Sequence, residues 1–274
     1  MDINTVTEVV RRPAEIPGSD WRSGDAWLAG GTWLFSDRQP DIRRLIDLVP
    51  LGWDDLSVTD SGLEIGAMCT IRDLYDFSAP AQWPAASLLP ISCEAFLASF
   101  KVWNSATVGG NICMSLPAGP MITMTVALDA TYTLQDTDGS QRTVDAADFV
   151  TGNHTNILRP GELLQRVSIR LDALRRRHAH RRFTLTQLGR STIFMVATQS
   201  PDGSDLALTI TAATTRPVTL AFDTMPDAEA LTRRIDELDD ALWFADPNGT
   251  PAHRRHLAKH FAEEIRAELS IGDS

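Results

Sequence analysis

Two short segments of the chain pair glycines with a small hydroxyl side chain: Ala29-Gly30-Gly31-Thr32 and Thr107-Val108-Gly109-Gly110-Asn111. A glycine pair reaches positive φ without steric cost and lets another backbone or a ligand approach closely. Successive N–H groups in such a turn form a concavity that attracts anions, and a threonine hydroxyl adds a donor. Two such turns converging on one pyrophosphate would hold a dinucleotide. The sequence contains neither G-x-G-x-x-G nor a Walker sequence, so the commoner glycine-rich phosphate loops are absent. A lone Gly-Gly pair more often only closes a turn, so the weight falls on what flanks each pair.

The remaining reactive residue types form weaker patterns. The three cysteines, Cys69, Cys93 and Cys113, are odd in number and scattered, with no CxxC. That argues against a disulfide framework, a four-thiolate zinc site or an iron–sulfur cluster within the chain, and reduced cysteines suit a cytoplasmic protein. His178-Ala179-His180 lies in the basic run Arg175–Arg182, which reads as a solvated linker or surface connection. His253, His256 and His260 share roughly one helix face, read as a polar face opposite Leu257 and Phe261. Trp33 and Trp103, next to the two glycine segments, are candidates to lie near a ligand, and Cys113 reads as a structural thiol. No Ser–His–Asp arrangement emerges, and no catalytic or metal-ligating residue is assigned.

Positioning these segments falls to a 274-residue chain with 43% hydrophobic residues, enough for two modest domains. The formal charge of −11 disfavours nonspecific nucleic-acid binding, which runs on basic surface. The N-terminus is polar and charged, so no signal peptide is expected. No apolar run approaches the length of a membrane span. Short strands are expected at Ala26–Leu28, Leu45–Leu48 and Leu63–Ala67, and the first glycine turn directly follows the first of these. Thr70 reads as the N-cap of a helix over Ile71–Phe77. A helical stretch follows from Pro84 to Phe100, then a polar turn over Asn104–Asn111, then a helix over Met121–Leu128. Ala130–Gln135, Gln141–Val144 and Leu163–Leu171 read as strands. Beyond the basic run, Thr184–Gln199 and Leu206–Thr214 read as strands, or as one strand and a helix. Two helices follow, Asp227–Leu242 and Pro251–Leu269, the second with Leu257, Phe261, Ile265 and Leu269 spaced to line one face.

The flanks decide between a mere turn and a site. After Ala29–Thr32 come Leu45-Ile46-Asp47-Leu48, then Leu63-Glu64-Ile65-Gly66-Ala67 and Thr70. After Thr107–Asn111 come Cys113, Pro117-Ala118 and Ala127-Leu128-Asp129-Ala130, and later Leu158-Arg159-Pro160-Gly161-Glu162-Leu163 and His253-Arg254-Arg255-His256-Leu257. This order resembles the FAD-binding medium subunit of the molybdenum hydroxylases, of the carbon monoxide dehydrogenase and xanthine dehydrogenase type, over nearly the whole chain. The resemblance implies an α+β protein: a vanillyl-alcohol-oxidase-type (PCMH-type) FAD-binding domain at 1–176, in two lobes of about 1–53 and 54–176, and a small α+β C-terminal domain at 177–274. It implies one noncovalent FAD with its pyrophosphate between Ala29, Gly30, Gly31, Thr32 and Trp33 on one side and Thr107, Gly109, Gly110 and Asn111 on the other. It also implies partners, a large subunit with a molybdenum cofactor and a small subunit with two 2Fe–2S clusters, from which FAD would relay electrons to an external acceptor. The competing expectations are a self-contained FAD oxidoreductase and a scaffold subunit without flavin.

The sequence departs from this pattern at four places. Trp33 stands where Asp, Gln or Ser is usual, Pro120 where an acidic residue is expected, Leu116 where Ser is usual and Gln187 where Lys is frequent. The Pro120 exchange implies a cofactor contact that is lost or replaced.

Overall fold

A computed structural model describes residues 3–11, 21–53 and 56–271. Arg12-Pro13, where the sequence implies a turn after Ile3–Val10, and the acidic pair Asp54-Asp55, which reads as ordinary surface, lie outside the described residues. The chain opens with strands β1 (Glu8–Arg11), β2 (Asp25–Leu28) and β3 (Arg44–Asp47), which form a parallel sheet in the order β1-β3-β2. The central strand β3 is buried along Arg44, Leu45 and Ile46, as a parallel strand covered on both faces requires. Arg44 is neutralised there by Asp25 of β2 through two hydrogen bonds of 2.8 and 2.5 Å. The first glycine turn leaves the C-terminal end of β2.

The middle of the chain forms a five-stranded antiparallel sheet of β4 (Leu56–Thr59), β5 (Gly62–Gly66), β6 (Thr131–Gln135), β7 (Gln141–Asp145) and β10 (Leu163–Arg170), in the order β4-β5-β10-β6-β7. Between β5 and β6 run the helices α1 (Ile71–Asp76), α2 (Leu88–Ala95), α3 (Phe100–Trp103), α4 (Val108–Cys113) and α5 (Pro120–Ala127). The short helix α6 (Ala146–Phe149) and the small ribbon of β8 (Val150–Gly152) and β9 (Thr155–Asn156) precede β10, and the helical turn α7 (Leu171–Leu174) follows it. Thr70 caps α1, its hydroxyl accepting from the Asp73 amide at 3.1 Å, as its position predicts. The expected continuous helix from Pro84 to Phe100 is broken. Phe96 turns extended after α2, and its carbonyl accepts the indole N–H of Trp103 at 3.2 Å. That bond replaces helix continuation with a loop over 96–99.

The last hundred residues build a four-stranded antiparallel sheet in simple order: β11 (Arg177–Thr184), β12 (Ser191–Gln199), β13 (Leu206–Thr211) and β14 (Val218–Phe222). Helices α8 (Ala228–Asp236) and α9 (Pro251–Ile271) complete this part. Asp227 caps α8 through the Ala230 amide. On α9 the buried face is Ala258, Ala262, Ile265 and Leu269, with Leu257 and Phe261 at its margin. β14 went unread in the sequence because Val218-Thr219-Leu220 is short and follows Pro217. β12 is buried along its whole length. Its Ile193, Met195 and Ala197 face α9, whereas Phe194 and Val196 join the core under the five-stranded sheet. A hydroxyl contact between Thr123 of α5 and Thr211 of β13 (2.6 Å) and the Ala212 amide donating to the Pro117 carbonyl (2.7 Å) tie the same surfaces together.

Candidate functional site

The two glycine segments are brought into contact. A Cβ added at Gly30 would fall 1.6 Å from the Ser105 carbonyl oxygen, so the first turn rests directly on the residues leading into the second segment. Gly31 has φ +67, and its carbonyl accepts from the Phe35 amide at 2.9 Å, while the Trp33 carbonyl accepts from Ser36. The segment is therefore one isolated helical turn, and the first amides of such a turn have no partner of their own. The N–H groups of Gly30, Gly31, Thr32, Trp33 and Leu34 make no hydrogen bond among the described residues.

The second segment is built differently. The polar turn expected over Asn104–Asn111 is instead the approach to α4, whose first residue is Val108. Thr107 is its N-cap, the hydroxyl accepting from the Gly110 amide at 3.0 Å, which overrides the turn preference of the glycine pair. The Val108 amide donates to the Cys69 carbonyl, Gly109 to the Ala67 carbonyl and Asn111 to the Thr107 carbonyl, at 2.9 to 3.0 Å. The leading amides of the second segment are thus consumed inside the protein. Gly109 serves close packing: an added Cβ would lie 2.5 Å from the Cβ of Ala67. Asn111 accepts the Met121 amide at 3.1 Å and so serves the start of α5, where Gly119 has no side chain and Pro120 no N–H.

Between the two segments lies a cavity of about 510 Å³. Ala29, Gly30, Gly31, Thr32, Trp33, Thr107, Gly110 and Asn111 line it, while Gly109 sits behind it against Ala67. The rest of its wall is apolar, chiefly Phe96, Leu97, Val102, Met114 and Leu116, and no charged side chain among the described residues lines it. These wall residues carry no motif; only their place around the glycine segments marks them. Cys113, half-buried, also reaches the wall, and burial pushes its thiol up to about 12, which disfavours the reactive thiolate. Trp103 does not line the cavity; its indole is held by Phe96 and its ring packs on Tyr75.

Residues 17–170, more than half of the chain, match the family model described as FAD binding domain in molybdopterin dehydrogenase. The chain belongs to this FAD-binding family. It is 32% identical over 135 residues to the carbon monoxide dehydrogenase medium chain of Hydrogenophaga pseudoflava, covering 48% of this chain and 42% of that one. It is 32% identical over 115 residues to xanthine dehydrogenase of Oryza sativa subsp. japonica, 40% of this chain but only 8% of that protein. The chain therefore spans a small part of the plant enzyme and under half of the medium chain at this level of similarity. The fold likeness is broader. A chain of quinoline 2-oxidoreductase from Pseudomonas putida 86 superimposes with a TM-score of 0.78 at 21% identity over 99% of both chains. A chain of carbon monoxide dehydrogenase from Oligotropha carboxidovorans gives 0.77 at 21% identity over 97% of this chain and 99% of that one.

The residues present fit an FAD. The unpaired amides of the first turn offer donors for phosphate oxygens without adding a formal charge. The apolar walls suit a planar ring system. Trp27, also in the wall, has a buried indole N–H without a partner among the described residues, the kind of unmet donor that a native structure seldom keeps. Of the departures from the family pattern, Pro120 is buried as the first residue of α5 and Leu116 extends the apolar wall. Gln187 is exposed on the loop between β11 and β12.

The basic run is not a linker: Arg177–Thr184 is the edge strand β11, paired along its length with β12. His178 is no solvated residue, because its Nε2 lies 2.6 Å from the Ser87 hydroxyl and burial, with a smaller contribution from His180, lowers its pKa to about 4. A run of charges in sequence hides such a strand, since alternate side chains point to opposite faces. On α9, His253 packs on Phe183 and His260 pairs with Glu264. No metal-holding group of His, Cys, Asp and Glu occurs among the described residues. Unforeseen in the sequence is Arg254, fully buried and bound to Asp246 at 2.5 Å and to the Phe244 carbonyl.

Proposed function

We propose that this chain is the flavin subunit of a molybdenum hydroxylase, an oxidoreductase in which FAD takes electrons from the 2Fe–2S clusters of a small partner subunit and passes them to an external acceptor. A large partner subunit would carry the molybdenum cofactor and the organic substrate. The assembly would work in the cytoplasm; no helix among the described residues is long and apolar enough to cross a membrane. We assign the FAD domain, of the vanillyl-alcohol-oxidase type, to residues 1–176, with lobes of about 1–53 and 54–176, and a C-terminal domain to 177–274.

The observation that carries this reading is the set of unpaired amides at Gly30–Leu34, opening on an uncharged apolar cavity. In this assignment Ala29, Gly30, Gly31, Thr32 and Trp33 hold the pyrophosphate, chiefly through backbone N–H groups. Thr107, Gly110 and Asn111 form the facing wall, and Gly109 keeps α4 close against β5. When bound, FAD supplies the one- and two-electron chemistry, and the protein's part is to bind, orient and exclude water. Among the described residues, no carboxylate, histidine or lysine lines the cavity. That suits electron relay, which needs no acid or base, better than a self-contained oxidase acting on its own substrate.

The test is the visible spectrum of the purified chain, with the cofactor released by heat and identified. Stoichiometric noncovalent FAD is expected. Gly31→Ala places a Cβ at φ +67 and 2.7 Å from the Phe35 ring, distorting the turn, and should lower flavin occupancy several-fold. A folded chain that stays colourless even after incubation with FAD would overturn the proposal.

A further inference from the structure

We infer that Trp33 and His154 form an aromatic rim that stacks on a planar ring of the bound dinucleotide; this rests on the FAD reading above. The two residues are far apart in sequence, and their rings meet where Trp33 forms part of the cavity wall. Trp33 lines the cavity, yet the side chain stays 37% exposed. Its ring centroid lies 5.7 Å from that of His154 at an interplanar angle of 41°. An indole left this open forgoes burial worth more than that of most side chains, unless something planar covers it.

His154 is held in place by the backbone. It sits in the two-residue turn between β8 and β9 with φ +56, a region seldom used by residues with a Cβ. Its amide donates to the Ser115 carbonyl at 2.9 Å, and Ser115 itself has φ +51. The Ser115 hydroxyl in turn accepts from Asn156 of β9 at 2.9 Å. Two left-handed residues and their mutual bonds thus fix the ribbon tip against the loop that carries Met114 and Leu116 of the cavity wall. The arrangement sets the imidazole against the Trp33 ring. Trp33 also contributes one of the unpaired amides, so the rim adjoins the proposed phosphate position and a ring next to the pyrophosphate is within reach of it.

The two heteroaromatic ends of FAD share this chemistry, and binding assays separate them. Dissociation constants for FAD and for ADP would be measured on the flavin-free full chain of the wild type, Trp33→Ala, Trp33→Phe and His154→Gly. Glycine relieves the positive φ at 154, so that variant removes the ring while keeping the turn; thermal melting without ligand checks that all variants fold. Loss of one aromatic stack weakens binding of a base by roughly five- to 150-fold. Weaker FAD binding in Trp33→Ala and His154→Gly, with partial rescue in Trp33→Phe, is the expected result. A parallel loss for ADP assigns the rim to adenine. Unchanged ADP binding with brighter flavin fluorescence in Trp33→Ala assigns it to the isoalloxazine. Wild-type affinity for both ligands in folded Trp33→Ala and His154→Gly would overturn the rim while leaving the FAD reading intact, and failure of the wild-type chain to bind FAD would overturn both.

Discussion

Replacing Gly109 with alanine separates the two glycine segments by their physics. An alanine Cβ at 109 would lie 2.5 Å from the Cβ of Ala67 and 2.8 Å from its carbonyl oxygen, the same oxygen that accepts the Gly109 amide at 3.0 Å. Neither neighbour is the free end of a flexible side chain, so α4 must move away from the end of β5 by up to about an ångström. Overpacking of this kind costs about 1–3 kcal/mol, and loosening the amide bond adds about 1 kcal/mol. The better helix propensity of alanine returns at most about 1 kcal/mol. The net loss of about 1–3 kcal/mol corresponds to a fall in Tm of roughly 2–12 °C for a chain of this size. The proposed assignment gives the phosphate donors to the first turn, so saturating FAD should still raise the Tm of the variant about as much as that of the wild type. Differential scanning calorimetry with and without FAD reads both quantities. An unchanged melting point together with a lost FAD-induced shift would refute the reasoning, because it would make Gly109 a ligand contact rather than a packing contact.

Further outcomes follow from single residues. Asp25→Asn should destabilise the fold by about 3 kcal/mol in chemical denaturation at pH 7, because it leaves Arg44 buried opposite an uncharged partner. The hydrogen bonds from Arg44 hold the Asp25 carboxyl below the usual carboxylate range. Its contribution is therefore complete above the unfolded pKa of about 3.9 and is lost as pH falls through the lower folded value; the variant should show less acid sensitivity below about pH 4. His178, with its pKa lowered to about 4 by burial, contributes stability above its unfolded pKa of about 6.5 that drains away as pH falls toward 4. His178→Gln should flatten the stability profile across that window in pH-dependent melting. Cys113, raised to about 12, should resist iodoacetamide at pH 8 in the native chain and react once the chain is unfolded.

The strands and caps that were legible in the sequence are those whose signal is local. β2, β3, β5 and β10 show as short apolar runs, and Thr70 and Asp227 stand at the starts of their helices. The two glycine segments also stood out, but not the difference between them. Whether Thr107 opens a turn or caps a helix depends on carbonyls at Ala67 and Cys69, brought up by a strand some forty residues earlier. β11 is hidden because its arginines are absorbed by the fold: Arg181 pairs with Glu264 and Glu268 of α9, Arg177 donates to the Leu269 carbonyl, and Arg182 bonds Ser191 and the Gly189 carbonyl. Likewise the cavity wall of Phe96, Leu97 and Leu116 consists of ordinary apolar residues that only the loop after α2 and the one after α4 bring together.

The charge balance of the site bears on how such a cavity holds an anion at all. The chain carries a formal charge of −11, and among the described residues no lysine or arginine lines the cavity to offset the two charges of a pyrophosphate. Amide donors at the head of a single turn meet that need at short range, since their partial charges are fixed and need no flexible side chain to be ordered. A site held by ammonium or guanidinium groups at the protein surface would weaken as salt screens it. Here the close contacts are neutral dipoles and the distant field is repulsive, so screening removes only the unfavourable part. FAD affinity should accordingly stay level or strengthen as ionic strength rises from about 0.01 M to 0.5 M, a range over which the Debye length shrinks from about 30 Å to a few ångströms. Equilibrium titration of the flavin-free chain across that range tests the argument. Marked weakening with salt would mean that basic side chains, not the amides at Gly30–Leu34, carry the phosphate.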